Sequence, residues 1–242
     1  MKKWEKMPEY LKNKEVKKYY DILKKKKISL FVKRILDIVL SIICLVVFSP
    51  IFLILGIAIK IDSKGPIFYR QERITIYNKT FRIFKFRTMI QNADKIGSLV
   101  TVGNDKRITK VGNFIRKYRL DEIPQLINVL IGDMSFIGTR PEVRKYVDAY
   151  TDEMKATLLM RAGVTSYTSI VFKDEAGLME KYIDKNHSAD DVYINKILPI
   201  KMKTNIEYIK KFNIFYDFKI IIWTVLAVLG LKKFKNEGVK NL

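Results

Sequence analysis

Two adjacent carboxylates, Asp121 and Glu122, are the residues of this chain best suited to chemistry. They are the only acidic residues between Lys106 and Gly132, a stretch otherwise rich in lysine and arginine. A carboxylate repels a phosphate, so a divalent cation such as Mg²⁺ is needed to bridge the two. One carboxylate of such a pair can coordinate the metal ion while the other attacks phosphorus to form an aspartyl phosphate. The pair therefore indicates chemistry on a phosphate group.

Basic side chains flank this pair in sequence and would complete such a site. Arginine forms planar, charge-assisted hydrogen bonds to phosphate oxygens. If the fold brings three groups of bases together, they can clamp a diphosphate. The backbone N–H groups of a helix that begins near Asp121 would point at the same anion. The three groups are Lys85 with Arg87, Arg116 with Arg119, and Arg140.

The same residues also fit an ordinary helix start. Asp121 is a good N-cap residue, and Glu122 in a first turn would interact favourably with the helix dipole. The bases would then form a solvated or lipid-facing surface. Because acidic residues are common at helix starts, spacing and charge alone favour this plainer interpretation.

The composition of the chain limits the classes of ligand and partner that we expect it to bind. The 242 residues carry a formal net charge of +21, which indicates a polyanionic environment or ligand, such as nucleic acid, an anionic membrane surface or a phosphorylated substrate. The single Cys44 excludes a disulfide framework, and with the single His187 it excludes a Cys/His zinc cluster. His187 is interpreted as a loop residue rather than a catalytic base. No aromatic-basic nucleic-acid recognition module is present, so nucleic acid is not an expected partner.

A run of 22 uncharged residues, 38–59, is long enough to cross a membrane as a helix. Ser49-Pro50 interrupts the run, and proline bends or breaks a helix because it removes a backbone hydrogen bond. Both flanks are basic, which favours the cytoplasmic side for both ends. We therefore expect a re-entrant helix-break-helix segment; a single-pass helix kinked at Pro50 is the alternative.

The rest of the chain is predicted to be α+β and mainly helical, with one small β-hairpin. The hairpin strands are 67–70 and 81–87, around a turn at 77–80. Helices are expected near 111–118, 121–131, 142–159 and 190–211, with a turn at 138–141 and a loop at 161–169. An apolar stretch at 220–231 would lie in the membrane interface, anchored by Trp223, Lys232, Lys233 and Lys235.

We divide the chain into four units. Residues 1–30 form a basic N-terminal surface helix, lying on an anionic surface or simply solvated. Residues 31–62 form the re-entrant membrane helix. Residues 63–200 form a catalytic domain facing the cytosol, and residues 201–242 form C-terminal amphipathic interfacial helices.

Several motifs in the same order resemble the bacterial sugar transferase family, the monotopic polyprenol-phosphate phosphoglycosyl transferases. The resemblance runs from about residue 31 to 170, with a weaker similarity to about 226. The motifs are Lys33-Arg34 with Asp37, Ser49-Pro50, Lys60 to Pro66 with Ile67-Phe68-Tyr69-Arg70-Gln71, Lys85-Phe86-Arg87-Thr88-Met89, Arg107-Ile108-Thr109-Lys110-Val111-Gly112, Leu120-Asp121-Glu122-Ile123-Pro124-Gln125-Leu126 and Gly132-Asp133-Met134-Ser135-Phe136-Ile137-Gly138.

The resemblance implies a two-step enzyme of the bacterial inner membrane, on its cytosolic face. Such enzymes transfer a sugar phosphate from a UDP-sugar to undecaprenyl phosphate and release UMP, as the first membrane step of a surface glycan pathway such as an exopolysaccharide, a capsule or an O antigen. Asp121 would be the nucleophile, and Glu122 would help bind Mg²⁺. The expected phosphate-binding residues are Lys85, Arg87, Arg116, Arg119, Arg140 and Arg161.

The chain departs from the family pattern at two places. It has Gly138-Thr139-Arg140-Pro141 where the family usually has Gly-Pro-Arg-Pro, and Arg161-Ala162-Gly163-Val164-Thr165-Ser166 where the family has Arg-Pro-Gly-Ile-Thr-Gly. Sugar specificity is therefore expected at Thr139, at 162–169 and in the 174–191 insertion. Two rival hypotheses remain: direct single displacement with both substrates bound, and a non-enzymatic basic adaptor that binds anionic lipid. The oligomeric state is left open.

Overall fold

The computed structural model describes residues 1–93, 105–172, 175–180, 182, 188–231 and 234. Its strands are β1 (Phe68–Thr75), β2 (Lys79–Phe86), β3 (Met134–Ile137) and β4 (Ala162–Thr165). Its α-helices are α1 (Lys14–Lys25), α2 (Lys27–Val47), α3 (Ser49–Asp62), α4 (Lys110–Lys117), α5 (Gln125–Ile131), α6 (Arg144–Val147), α7 (Tyr167–Val171), α8 (Glu175–Glu180), α9 (Ala189–Val192), α10 (Leu198–Lys211) and α11 (Ile214–Val228). The mainly helical α+β class is thus confirmed.

A bent pair of apolar helices, α2 and α3, forms the segment predicted to enter the membrane. The two helices meet at Phe48 and are bent by 60°. Pro50 lies in the first turn of α3, where its missing N–H has no intrahelical partner to lose. In the described part of the chain, no helix by itself has the length and apolar composition of a membrane span, although the bent pair together does. The break at Ser49-Pro50 is confirmed.

The predicted β-hairpin is present, and its strands are longer than expected. Strands β1 and β2 pair antiparallel from Phe68 opposite Phe86 to Thr75 opposite Lys79. The turn contains two non-glycine residues with positive φ, Tyr77 at 59° and Asn78 at 62°. A second pair of strands was not predicted: β3 pairs in parallel with β4, and β4 lies within the stretch that we interpreted as a loop at 161–169. Strands of four residues are too short to show a clear alternation in sequence.

The N-terminal helix is part of the core rather than a separate surface layer. On α1, Val16, Tyr19, Tyr20 and Leu23 are buried, and the helix packs against α10 and the 3₁₀ turn Met154–Leu159. Burial of one face corrects the expectation of a helix that only lies on a surface or in solvent. The lysines of α1 lie on the other face, where their ammonium groups reach water.

Two other expectations require correction. The helix expected over 142–159 is divided into α6 and the 3₁₀ turn Met154–Leu159, and between them the hydroxyl of Thr151 accepts a hydrogen bond from the N–H of Met154 at 3.4 Å, in competition with helical bonds. The boundary expected at residue 200 falls inside α10, and half of the residues of that helix are buried.

The C-terminal apolar helix is longer than expected. It begins at Ile214, capped by Asn213, and ends at Val228. It exposes apolar side chains: Phe215, Phe218, Ile222, Val225 and Val228. The basic residues expected to anchor it, Lys232, Lys233 and Lys235, lie outside the described residues, as do His187 and much of the 174–191 insertion.

Candidate active site

The dyad lies on a short turn that precedes a helix. Asp121 and Glu122 belong to the 3₁₀ turn Leu120–Glu122, and α5 begins only at Gln125 after Pro124. Arg119 starts this turn in the left-handed conformation, with φ of 55°. The N-cap role of Asp121 is therefore wrong, because Asp121 lies inside this turn and the residue that precedes α5 is Pro124.

Glu122 is held in place by two cations. Its carboxylate accepts hydrogen bonds from the guanidinium of Arg140, with Nη1 at 3.3 Å from Oε2, and lies 3.4 Å from Nζ of Lys85. Burial alone would raise the pKa of Glu122, but the charges of Arg140 and Lys85 outweigh it and hold that pKa well below its usual range. Glu122 is thus ionised and fixed in orientation.

Asp121 has the opposite environment although it is the next residue. Its carboxylate is half-buried and accepts no hydrogen bond from any residue that the structure describes. Burial raises the pKa of Asp121, against the lowering effect of the Lys85 charge, and the negative charge of Glu122 raises it further. A desolvated carboxylate with unoccupied lone pairs is the more nucleophilic member of the pair.

Arg116 reaches the dyad because α4 packs closely on the end of the hairpin. A Cβ at Gly112 would lie 2.1 Å from the carbonyl oxygen of Thr88, so only glycine permits this approach. On the next turn, Nε of Arg116 donates to Oγ1 of Thr88 at 2.9 Å. The charge of Asp121 acts on Arg116 and partly offsets the lowering of its pKa by burial. The structure therefore brings Lys85, Arg116 and Arg140 together around the dyad.

Two contacts that the sequence did not reveal position α5, the helix that follows the dyad. The fully buried Asn128 accepts from the N–H of Phe84 at 2.8 Å and donates to the carbonyl of Arg82 at 3.0 Å, which ties α5 to β2. At the other end, Arg34 of α2 donates to the carbonyls of Val129 and Leu130 at 2.6 and 2.9 Å. A cation there also complements the helix dipole.

The turn that carries Arg140 is fixed by β3, β4 and the hairpin. A Cβ at Gly163 would lie 2.2 Å from the backbone nitrogen of Gly138, so this crossing requires glycine. Arg73 of β1 donates from Nη1 to the carbonyl of Pro141 at 3.1 Å, directly beside Arg140. Arg73 was not among the predicted site residues. Its position in a strand of alternating side chains was the only feature of the sequence that could have indicated its role.

Two predicted phosphate-binding residues make their contacts elsewhere. Arg87 is buried and donates from Nη2 to the carbonyl and hydroxyl of Ser63 at 2.6 and 2.9 Å, at the end of α3. Strand β2 ends at Phe86, whereas the strand was predicted to extend to 87, so Arg87 lies outside the hairpin that carries Lys85. Arg161 donates to the carbonyl of Gly132 at 2.9 Å, at the far end of β4 from Thr165.

A cavity of about 270 Å³ connects the dyad to the break between α2 and α3. Its lining includes the charged residues Arg119, Glu122 and Arg140 and, at the break between α2 and α3, Phe48. The remaining lining is mostly apolar or hydroxyl-bearing: Ile123, Leu126, Val164, Thr165, Ser169, Ile170, Thr224, Ala227 and Val228. The cavity therefore joins charged groups to the apolar helix pair.

The dyad was also assessed as a metal site. The described residues contain no group of three or more acidic, histidine or cysteine side chains that could hold a metal ion by themselves. Mg²⁺, however, is usually bound by one or two carboxylates together with substrate phosphates. Two adjacent carboxylates, one of which accepts no hydrogen bond from the part of the chain that the structure describes, fit that mode of binding.

Comparison with known proteins identifies the family. The family model described as bacterial sugar transferase matches residues 28–231, which is most of the chain. The chain belongs to the bacterial sugar transferase family. The match covers α2, the dyad and α11, so the geometry above is that of a bacterial sugar transferase.

Three similar proteins illustrate the range of relatives. The UDP-N-acetylgalactosamine-undecaprenyl-phosphate N-acetylgalactosaminephosphotransferase of Aeromonas hydrophila is 37% identical over 202 residues, which are 82% of this chain and 44% of the relative. The UDP-glucose:undecaprenyl-phosphate glucose-1-phosphate transferase of Escherichia coli K12 is 33% identical over 80% of this chain and 39% of the relative. The uncharacterized sugar transferase EpsL of Bacillus subtilis is 30% identical over 88% of this chain and 92% of its own length.

The chain spans about two fifths of the length of the first two of these relatives. EpsL, by contrast, is matched over nearly its whole length. The part that the family model matches, residues 28–231, contains the dyad, the bases around it and nearly all of the bent helix pair.

Proposed function

We propose that this protein transfers a sugar phosphate from a UDP-sugar to undecaprenyl phosphate, with release of UMP, through a covalent phosphosugar on Asp121. The observation that carries the proposal is the contrast within the dyad. Glu122 is held by Arg140 and Lys85, whereas the half-buried carboxylate of Asp121 accepts no hydrogen bond from the described residues. The named activities of the Aeromonas and Escherichia relatives support the same reaction class.

The proposed reaction has two displacements at one phosphorus. In the first, a carboxylate oxygen of Asp121 bonds to the sugar-linked phosphorus, and the bond from that phosphorus to the bridging oxygen breaks, so that UMP leaves with that oxygen. In the second, a phosphate oxygen of undecaprenyl phosphate bonds to the same phosphorus, and the bond to Asp121 breaks. The carboxylate is regenerated and the product is a polyprenyl-diphosphate sugar.

The surrounding cations would neutralise the negative charge that the transferred phosphate carries. Lys85, Arg116 and Arg140 are the bases at the dyad, and Arg119 lines the adjoining cavity. Such pre-positioned charges stabilise phosphoryl transfer because they need no reorganisation during the reaction. Mg²⁺, held by Glu122 together with the substrate phosphates, would supply further charge neutralisation.

The acceptor is proposed to enter through the 270 Å³ cavity. A polyprenyl phosphate has an apolar chain and an anionic end, and the cavity offers an apolar lining toward Phe48 and charged groups at the dyad. This arrangement supports a re-entrant placement of α2 and α3 in the cytosolic face of the bacterial inner membrane. It also fits a role at the first membrane step of a surface glycan pathway.

A burst experiment tests the two-step proposal. The purified protein is mixed with Mg²⁺ and each of a panel of UDP-sugars, without acceptor, and UMP is measured by chromatography. We expect at most one UMP per protein chain with the correct donor, because the covalent phosphosugar then blocks the site. Addition of undecaprenyl phosphate should convert the burst into continuous turnover.

A matched carboxylate variant makes this experiment specific. Asp121→Asn should abolish the burst, whereas Asp21→Asn, which changes a partly exposed acid paired with Lys17 on α1, should retain it. If turnover requires both substrates together and no UMP is released from the donor alone, the direct-displacement hypothesis is correct and the two-step proposal fails.

A further inference from the structure

A second cavity, of about 490 Å³, lies at the start of α2. It is bounded by the first turns of α2, by Ile76 and Tyr77 of the hairpin turn, and by the residues just before β4. It shares no lining residue with the cavity at the dyad. Its volume falls within the range typical of small-molecule sites.

The lining of this cavity is strongly basic. Five cations face one carboxylate, Asp37, and the cations are Lys2, Lys27, Lys33, Arg34 and Arg161. Asp37 is already engaged, because its Oδ1 accepts from the hydroxyl of Ser135 at 3.1 Å and from the N–H of Phe136 at 3.0 Å. Lys33 is neutralised separately by Asp217 at 2.5 Å. The other four cations, Lys2, Lys27, Arg34 and Arg161, therefore exceed in number the single carboxylate that lines the cavity, Asp37.

Two guanidinium groups, those of Arg34 and Arg161, converge in this cavity, and neither forms an ion pair with a carboxylate of the described residues. Nη2 of Arg34 lies 3.2 Å from the position that a Cβ of Gly132 would occupy, and Nε of Arg161 donates to the carbonyl of the same residue. The pKa of Arg34 is lowered by burial and then by the positive charge of Arg161. The terminal nitrogens of Arg161 have no hydrogen-bond partner in the described part of the chain. An anion would relieve this repulsion.

The cavity also borders an apolar surface. Phe31, which lines it, is 68% exposed, and Ile28 is 81% exposed. Exposed apolar side chains continue at helical spacing along α2: Val32, Ile35, Val39, Ile42, Ile43, Val46 and Val47. A phosphate in the cavity would thus be next to the surface that we place in the membrane. A freely soluble anion has no apolar part that could contact this surface.

We propose that this cavity binds the phosphate of an anionic phospholipid headgroup, with Lys27 and Arg161 at the phosphate and Phe31 beside the acyl chains. The proposal rests on the membrane placement of α2 that is part of the proposed function, but not on the reaction at the dyad. A bound lipid would fix the start of α2, which Arg34 connects to α5. The site thereby links the membrane to the helix behind the dyad.

Ligand-induced stabilisation of the full chain in a neutral detergent tests this site. Unfolding temperatures are measured while short-chain phosphatidylglycerol, short-chain phosphatidylcholine or inorganic phosphate is added. We expect phosphatidylglycerol to bind at least about tenfold more tightly than the other two, because only it offers both a net negative phosphate and acyl chains. Binding is measured directly, so failure of this site is distinct from failure of the proposed reaction.

Paired variants locate the effect. The double variant Lys27→Gln/Arg161→Gln should weaken phosphatidylglycerol binding by about tenfold or more, since it removes two charge-assisted hydrogen bonds. Lys196→Gln/Lys203→Gln removes the same charge from exposed positions near α10 and should change binding less than about twofold. Lys27→Gln alone, at an exposed helix start, preserves the test if the double variant does not fold, with about a threefold loss expected.

Three results would overturn the proposal. Equal affinity for phosphatidylglycerol and phosphatidylcholine would show that charge is not recognised. An equal effect of the two double variants would show that the cavity is not the site. Stabilisation by inorganic phosphate at the same concentration as phosphatidylglycerol would identify a soluble anion, rather than a lipid, as the ligand.

Discussion

Replacement of Asn128 by leucine should disturb both the stability of the protein and its activity. Asn128 is fully buried, and its amide satisfies the N–H of Phe84 and the carbonyl of Arg82 on the outer edge of β2. An unpaired buried N–H costs about 1–3 kcal/mol. The carbonyl of Arg82 keeps a bond from Arg70 at 3.2 Å, so its loss adds only about 1 kcal/mol. The total, about 2–4 kcal/mol, corresponds to a fall in Tm of roughly 4–16 °C for a chain of this size.

The activity effect follows from what this bond connects. Asn128 holds α5, which follows Glu122, against β2, which carries Lys85. We therefore expect kcat to fall more than the KM for UDP-sugar rises, because the dyad loses its alignment with the cations. Thr157→Val, which removes the hydrogen bond of a buried side chain to the carbonyl of Met154 in a turn that does not line the dyad cavity, is the control and should lower Tm with little change in kcat. An Asn128→Leu protein with unchanged Tm and kcat would refute this reasoning.

Four further predictions concern the dyad and the membrane. Burial raises the pKa of Asp121, so ionisation of this carboxyl destabilises the fold. Asp121→Asn should therefore raise Tm at pH 7, and this increase in Tm should vanish as pH falls below the unfolded pKa of about 3.9. The pKa of Glu122 is lowered, so Glu122→Gln should reduce Tm at pH 7, and this decrease should become smaller as pH falls below about 4.3. Calorimetry at several pH values measures both variants. If Asp121→Asn and Glu122→Gln shifted Tm in the same direction at pH 7, both predictions would be contradicted. Removal of divalent metal with EDTA should stop UMP release and Mg²⁺ should restore it, and persistent release in EDTA would argue against a metal requirement. In a Cys44→Ser background, cysteines placed at Lys25 and Lys79 should react with an impermeant reagent from the same membrane face, and labelling from opposite faces would exclude the re-entrant segment.

Local patterns predicted the elements that depend on local chemistry. The break at Ser49-Pro50, the hairpin and helix α4 follow from a proline, a strand alternation and an amphipathic spacing, and all three are present. Lys85, Arg116 and Arg140, expected near the dyad from three separate motifs, are also found there.

Features that depend on packing between distant parts of the chain could not be predicted from local sequence patterns. The parallel pairing of β3 with β4 joins four-residue segments separated by more than twenty residues, and neither segment alternates clearly. Burial of α1 requires a partner, α10, near the other end of the chain. Arg87 and Arg161 share the charge of the dyad bases, but their direction is set by the tertiary contacts with Ser63 and Gly132. Charge and motif identify candidate residues, whereas long-range packing selects among them.

The most direct test of the central claim is the site of the covalent intermediate. The protein is incubated with Mg²⁺ and its UDP-sugar, quenched in acid, and analysed by intact mass and then by peptide fragmentation. The proposal predicts a mass increase of one sugar phosphate, located on Asp121, and lost when undecaprenyl phosphate is added before the quench. An unmodified protein under conditions that give turnover, or a phosphosugar on any residue other than Asp121, would contradict it.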